Sequence, residues 1–110
     1  MSGHNQAFKE AQRINNADVL AKTASATLTV DELLQYEFCE INGAADVKLT
    51  YPAATTVLNG RKMHFTNIGA YRAALAVKLD GTSATTYVDV FAGTGGVTLF
   101  CQGGKFKIEG

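Results

Sequence analysis

Few side chains in this sequence are of the types that perform catalysis or bind metals. His4 and His64 are the only histidines, and neither has a second ligand at metal spacing. For His64, on the polar face of a predicted strand, solvation or hydrogen bonding is the main interpretation; a ligand or pH-sensing role is the alternative. Cys39 and Cys101 are isolated, so we expect two buried reduced thiols, and a disulfide only if their strands are adjacent.

Carboxylates and a glycine-rich loop are the remaining candidates for chemistry. Glycoside hydrolysis would need two carboxylates facing each other across a cleft, but in so short a chain we expect solvated groups at strand ends. The carboxylates concerned are Asp31, Glu32, Glu37 and Glu40. Residues 93–96 (Gly-Thr-Gly-Gly) lack the downstream Lys-Ser/Thr and the helix of a phosphate-binding loop, so we expect a turn there. We therefore predict no enzyme, with no catalytic residue, cofactor or metal.

Four aromatic side chains could form a sugar-stacking surface, but at strand spacing we expect them in the core or at a subunit interface. They are Tyr51, Phe65, Tyr71 and Tyr87. Ten basic residues balance ten acidic ones for a net charge of +0, so we expect no nucleic-acid partner. No apolar run approaches the roughly 20 residues that span a bilayer, so we expect no membrane partner. The first six residues lack the features of a secretory signal, so we expect synthesis in the cytoplasm.

The chain of 110 residues divides into an N-terminal arm (1–26) and a β-domain (27–110). The arm is rich in Ala, Asn and Gln; residues 7–13 could form two helical turns and residues 18–22 one more. Its large apolar side chains share no helical stripe, so two interpretations stay open: a disordered tail, or an arm ordered against another subunit. Since the arm cannot bury a core, we expect deletion of residues 1–22 to leave the β-domain folded.

From Thr27 onward the apolar pattern has a period of two. About eight short strands follow, separated by turn signals such as Asn42-Gly43, Asn59-Gly60 and Asp80-Gly81. We therefore predict an all-β fold, an antiparallel β-sandwich or jelly roll with an extended, partly helical arm. The predicted core comprises Leu49, Met63, Phe65, Leu75, Val77, Val88, Val90, Val97, Leu99, Phe106 and Ile108.

Two segments of the β-domain resemble a module of tailed-phage structural proteins. Residues 49–54 (LTYPAA) and 59–69 (NGRKMHFTNIG) resemble its strand ending in Leu-Pro, its Gly-Lys/Arg pair, its aromatic-centred strand and its Asn-Ile/Leu-Gly. Residues 96–108 (GVTLFCQGGKFKI) resemble its last hairpin. Two positions differ from the module, because Phe106 stands where members usually carry Trp and Tyr51 where they carry Leu. The resemblance covers roughly residues 45 to 110.

The short arm makes the chain similar to capsid decoration (cement or staple) proteins, in particular the staple proteins of epsilon15-like short-tailed phages. The resemblance implies a virion location on the outer capsid, self-association as a homodimer, with a trimer left open, and stabilisation of boundaries between major capsid protein subunits. On this hypothesis the arm binds the capsid through Phe8, Ile14, Val19 and Leu20. The alternative hypothesis is a carbohydrate-binding or tail-fibre-type β-module.

Overall fold

The computed structural model describes residues 19–109, and all structural statements below concern this range. It contains nine strands and two short helical segments. The strands are β1 (Val19–Lys22), β2 (Ala26–Thr27), β3 (Phe38–Ile41), β4 (Val47–Thr50), β5 (Lys62–Asn67), β6 (Ala73–Val77), β7 (Thr86–Asp89), β8 (Val97–Gln102) and β9 (Lys105–Glu109). The helical segments are α1 (Val30–Gln35) and a 3-10 turn (Thr56–Leu58).

The strands form two mixed sheets, between which the chain alternates from β1 to β6. The five-stranded sheet has the order β1-β3-β5-β8-β9, and the four-stranded sheet the order β2-β4-β6-β7. Each of β3 to β6 returns to its sheet after one strand in the other sheet, and it therefore lies parallel to the strand two positions earlier. The mostly β composition is confirmed, but the predicted antiparallel arrangement is wrong for these four pairings.

The turn signals have different outcomes. Gly103 and Gly104 form the hairpin between β8 and β9, with positive φ angles of 61° and 71°. Asp80 and Gly81, also with positive φ, lie in the connection between the antiparallel strands β6 and β7. The hairpin predicted at residues 42–43 is wrong, because β3 and β4 belong to different sheets.

Both sheets contribute side chains to one core. Eight predicted core residues are buried: Leu49, Met63, Phe65, Leu75, Val77, Val90, Leu99 and Phe106. Val88 and Val97 are only partly buried and pack against this cluster. The prediction is wrong for Ile108, which is 46% exposed on the edge strand β9.

The first described residues belong to the folded body. Where the sequence suggested a helical turn over residues 18–22, the structure has strand β1, paired with β3, and Leu20 packs against the core. Strand structure therefore begins before Thr27, inside the segment that we assigned to the arm. The helix suggested over residues 7–13 lies outside the described residues.

Helix α1 is defined by a capping box. The Thr29 hydroxyl accepts a hydrogen bond from the Glu32 N–H, and the Glu32 carboxylate accepts one from the Thr29 N–H, both at 3.0 Å. The Glu32 carboxylate also contacts Lys22 of β1 at 3.0 Å. Partial burial would raise the pKa of Glu32, but these hydrogen bonds and the Lys22 ammonium outweigh it and lower the pKa. The ion pair thus ties α1 to the first strand.

Asn67, at the end of β5, is a buried polar side chain, 6% exposed. Its amide nitrogen donates to the carbonyl oxygens of Tyr71 (2.9 Å) and Val90 (3.2 Å), and its oxygen accepts from the Gly69 N–H (3.0 Å). These bonds give the Asn-Ile-Gly motif a structural role, since they hold the loop after β5 against the segment after β7.

We expect Asn67→Ala to lower the free energy of unfolding by about 2 kcal/mol or more, because it leaves buried partners without hydrogen bonds. Thr94→Ala is the control: its hydroxyl also bridges two backbone groups, but at an exposed site. This control should lose less than about 1 kcal/mol in urea denaturation. Equal losses for the two variants would contradict the role given to Asn67.

Candidate functional site

One row of residues crosses the outer face of the five-stranded sheet. Strand pairing places Val19, Phe38, His64, Thr98 and Glu109 side by side, one from each strand of the sheet. Directly paired residues project from the same face, opposite the buried neighbours that follow or precede them along each strand. We call these five residues the outer row.

His64 is held in the middle of the outer row by two hydrogen bonds. Its Nε2 lies 2.7 Å from the carbonyl oxygen of Gly95, which can only accept, so Nε2 carries a proton and donates. Its Nδ1 lies 2.6 Å from the Thr98 hydroxyl. The hydrogen-bonding interpretation of His64 is therefore confirmed. Both ring nitrogens are occupied, so metal binding would require breaking one of these bonds.

Four residues of the outer row, all except Val19, line a shallow groove of about 530 Å³. The exposed Phe38 ring contacts the His64 ring edge-on, with centroids 6.4 Å apart. Arg61 Nη2 donates to the carbonyl of Leu34 at 2.7 Å, and Lys62 pairs with Glu109 at 3.3 Å. The groove thus offers one aromatic edge and paired charges of both signs, which suit contact with a polar surface.

The two thiols supply no nucleophile. Cys39 and Cys101 are both free and buried, as predicted. Burial raises the pKa of the Cys39 thiol to about 12 and also raises the pKa of the Cys101 thiol. Both groups are therefore protonated at neutral pH and shielded from reagents.

The four aromatic residues singled out in the sequence do not share one surface. Tyr51 and Phe65 are buried in the core, with ring centroids 5.9 Å apart, whereas Tyr71 and Tyr87 are 49% and 61% exposed. The sugar-stacking face that would combine all four is therefore wrong. The core interpretation is confirmed for the first two.

An aromatic patch lies beside the four-stranded sheet. Tyr71 and Phe91, which is 65% exposed, line a groove of about 160 Å³ together with Arg72 and Asp89. Arg72 reaches Asp89 across this groove at 3.7 Å and is itself 80% exposed. We call Tyr71, Arg72, Asp89 and Phe91 the aromatic patch. Its composition, aromatic rings around an arginine, is that of protein–protein contact sites.

Of the four residues predicted to bind the capsid, two lie in the described range. Val19 is half-buried at the edge of the outer row, and Leu20 is turned towards the protein's own core. Phe8 and Ile14 lie outside the described residues. The structure does not bring the described pair to one exposed surface, because successive residues of a strand face opposite sides.

Sequence reasoning missed Phe38, Arg72 and Phe91. The signal for the two phenylalanines was present, since Phe38 precedes the buried Cys39 and Phe91 follows the buried Val90, which places each on the opposite face of its strand. Arg72 gave no signal, because its position depends on the meeting of two distant segments.

Within residues 19–109, no three His, Cys, Asp or Glu side chains are grouped so that they could hold a metal ion. No helix in this part of the chain has the length and apolar character needed to cross a membrane. No protein-family model matches the chain, and neither a curated protein nor a solved structure matches it.

Proposed function

We propose that this protein is a non-enzymatic decoration protein of a phage capsid, which binds the major capsid protein on the outer shell and stabilises subunit boundaries. The observation that carries the proposal is the aromatic patch. The two sheets bury large apolar residues in one core, but Tyr71, Arg72 and Phe91 are about half exposed or more. Exposed aromatic and arginine side chains in one place are typical of surfaces that become buried against another protein.

The two residues that depart from the phage module, Tyr51 and Phe106, contact each other in the core. The rings of Tyr51 and Phe106 meet edge to face, with centroids 4.8 Å apart. The module's usual Leu is replaced here by the larger Tyr51, and its usual Trp by the smaller Phe106. One change therefore offsets the other in the volume of the core.

The resemblance segments also meet in space. The Asn59 side chain accepts a hydrogen bond from the Gly104 N–H at 2.8 Å, and the Gly60 N–H donates to the Cys101 carbonyl at 2.8 Å. The Asn-Gly turn of the first segment is thereby tied to the final hairpin of the second. Two parts of one module would be expected to contact each other, and this contact supports treating the two segments as one unit.

For the body we propose a β-sandwich, in which the two sheets cover one core from opposite sides. Buried residues of both sheets belong to one cluster, which supports this arrangement. A jelly roll is built from antiparallel Greek keys, and the four parallel pairings do not fit it. Such a rigid body would hold the aromatic patch and the entry point of the arm at fixed positions.

In this proposal the arm adds a second contact with the capsid. Phe8, Ile14 and Val19 would bury apolar surface there, at about 1.5 to 3 kcal/mol per large side chain before ordering costs. Leu20 serves instead to anchor the arm, because it packs against the protein's own core. Self-association would add avidity by presenting two such contacts at once.

The alternative, a carbohydrate-binding or fibre-type module, would use the groove along the outer row. Phe38, 42% exposed, could stack on a sugar ring, and the neighbouring polar side chains could bind its hydroxyls. This hypothesis predicts binding to isolated glycans without any capsid. The capsid hypothesis predicts the reverse.

Cosedimentation with capsids that carry no decoration tests the proposal. We expect the full chain to pellet with them in a saturable way. Tyr71→Ala should weaken binding by about tenfold or more, as expected for an aromatic residue at the centre of a contact. Val57→Ala is the control, because Val57 is similarly exposed (58%) but lies in the 3-10 turn.

A full chain that stays in the supernatant would reject the capsid role. Equal binding by the Tyr71→Ala variant and its control would reject the aromatic patch as the contact, and with it the observation that carries the proposal. Binding of the full chain to immobilised glycans, in the same buffer and without capsids, would favour the alternative.

A further inference from the structure

Within the described residues the two sheets present four edge strands, and two of them, β2 and β9, have features that prevent pairing with another chain. Strand β2 has only two residues. Strand β9 carries Lys105, Lys107 and Glu109, and it is also covered where the Asp80 N–H donates to the Phe106 carbonyl at 2.9 Å. Strand β1 directly follows residues 1–18, which lie outside the described residues, and its one charged side chain, Lys22, pairs with Glu32 of the same chain.

Strand β7, the outer strand of the four-stranded sheet, lacks these protections. The segment 84–91 (ATTYVDVF) contains no proline, glycine or lysine, and Asp89 is its only charged residue. Tyr87 in its middle is 61% exposed. A β-prone and nearly uncharged edge is the kind that accepts a further strand.

The phase of the backbone shows which groups are free at this edge. The Val90 N–H donates to the Ala73 carbonyl at 2.9 Å, so residue 90 and, by alternation, residues 88 and 86 direct their backbone groups towards β6. Tyr87 and Asp89 therefore direct their N–H and C=O groups away from β6. Two residues at this spacing are what an incoming antiparallel strand needs.

We propose that β7 is an assembly edge that pairs antiparallel with β7 of a second copy of this chain, with Val88 opposite Val88 at the two-fold axis. Each Tyr87 then exchanges backbone hydrogen bonds with Asp89 of the other copy. The four strands of each copy join into one continuous sheet of eight. Such an isologous contact closes on itself and leaves no further free edge at β7.

Charge favours a second copy over an unrelated strand. Asp89 is the one charge on the edge, and Arg72 of the same chain already faces it at 3.7 Å, so two copies can meet without opposing bare carboxylates. The Val88 side chains, half-buried against each core, would extend the apolar layer across the axis. An acidic or basic partner would find no excess charge to bind.

This inference rests on the self-association in the proposed function and names its surface. Because the test uses no capsids, the β7 dimer and the capsid role can each be rejected without the other. Sedimentation velocity of the full chain is measured at protein concentrations from about 1 μM to about 1 mM, a range that detects dissociation constants of that order. It should show a species of twice the 11.7 kDa mass of one chain. Tyr87→Glu should raise the dissociation constant by at least about tenfold, because it places a second carboxylate directly opposite Asp89 of the other copy. Val57→Glu, with similar exposure, is the matched control and should dimerise normally.

Amide hydrogen exchange provides a second readout that does not depend on a substitution. Exchange at Tyr87 and Asp89 should slow as the protein concentration rises, whereas the amides already bonded to β6 should not change. A monomer throughout the concentration range, or a trimer, overturns the inference. It is also overturned if Tyr87→Glu and Val57→Glu have the same effect, whether both dimerise or both dissociate.

Discussion

Replacing Phe65 with alanine is expected to lower the free energy of unfolding by about 3 to 5 kcal/mol, the range for deleting a buried aromatic ring. Phe65 is fully buried in the middle of the five-stranded sheet, between Cys39 of β3 and Val97 of β8. Its ring packs on Tyr51, so the alanine variant leaves a cavity between the two sheets. Urea denaturation followed by circular dichroism measures the loss.

Ile108→Ala is the matched control for this experiment. Ile108 is a large apolar residue of the same sheet, but it is 46% exposed on an edge strand. We expect it to lose less than about 1 kcal/mol, because little buried surface is removed. A loss below about 1 kcal/mol for Phe65→Ala itself would contradict the position of Phe65 at the centre of the core.

The sequence was informative about which residues are buried and where most strands lie, because both depend on local alternation. The alternation of Met63 and Phe65 with polar neighbours identified the phase of β5 correctly. At Ile108 the same rule failed. Alternation places a side chain on the inner face of a strand, but burial on an edge strand also requires a neighbour on its outer side. The segment at Leu79 supplies that neighbour for Phe106, which is buried, whereas Ile108 is not paired with it.

The parallel strand pairings could not be predicted from the sequence, because their partners lie far apart along the chain, with a strand of the other sheet between them. Asn42-Gly43 is a hairpin signal only where the glycine supplies a positive φ angle. Here neither residue has one. A Cβ on Gly43 would instead lie 2.5 Å from the Val47 side chain, so glycine is required there for space. One residue type thus meets two different needs, and only the three-dimensional structure tells them apart.

For the aromatic patch, too, the direction of a side chain could be derived from local sequence, but its neighbours in space could not. That Phe91 faces away from the core could be derived from its buried neighbour Val90. That it lies beside Tyr71 and Arg72 could not, because Asn67 brings the two segments together by hydrogen bonds to both. The patch is therefore a product of tertiary structure, and among its four members only the outward direction of Phe91 could be derived from a sequence neighbour.

The second large expected effect is on the melting temperature, when the chain is shortened at the boundary between the arm and the β-domain. A chain that starts at Val19 should melt within about 2 °C of the full chain, because it retains every described contact. A chain that starts at Thr23 should melt more than about 10 °C lower, on the order expected for a loss of 2 kcal/mol or more in a domain of this size. This revises our sequence-based expectation for deletion of residues 1–22.

The difference between the two truncations lies in strand β1. Removing residues 19–22 deletes the Leu20 side chain from the core, the Lys22–Glu32 ion pair at 3.0 Å, and the hydrogen bond from the Asn42 N–H to the Lys22 carbonyl. It also leaves β3, with the buried Cys39 and Ile41, as a bare edge. The point variant Leu20→Ala should account for part of the loss, since it removes the packing and keeps the backbone ladder.

Thermal unfolding monitored by circular dichroism at equal protein concentrations gives the comparison. Equal melting of both truncated chains and the full chain would mean that β1 does not unfold cooperatively with the body. If the chain starting at Val19 melts as low as the one starting at Thr23, residues 1–18 contribute to the stability of the fold. The arm would then act on its own domain, or on that of a second copy, and the division into arm and body would have to be redrawn.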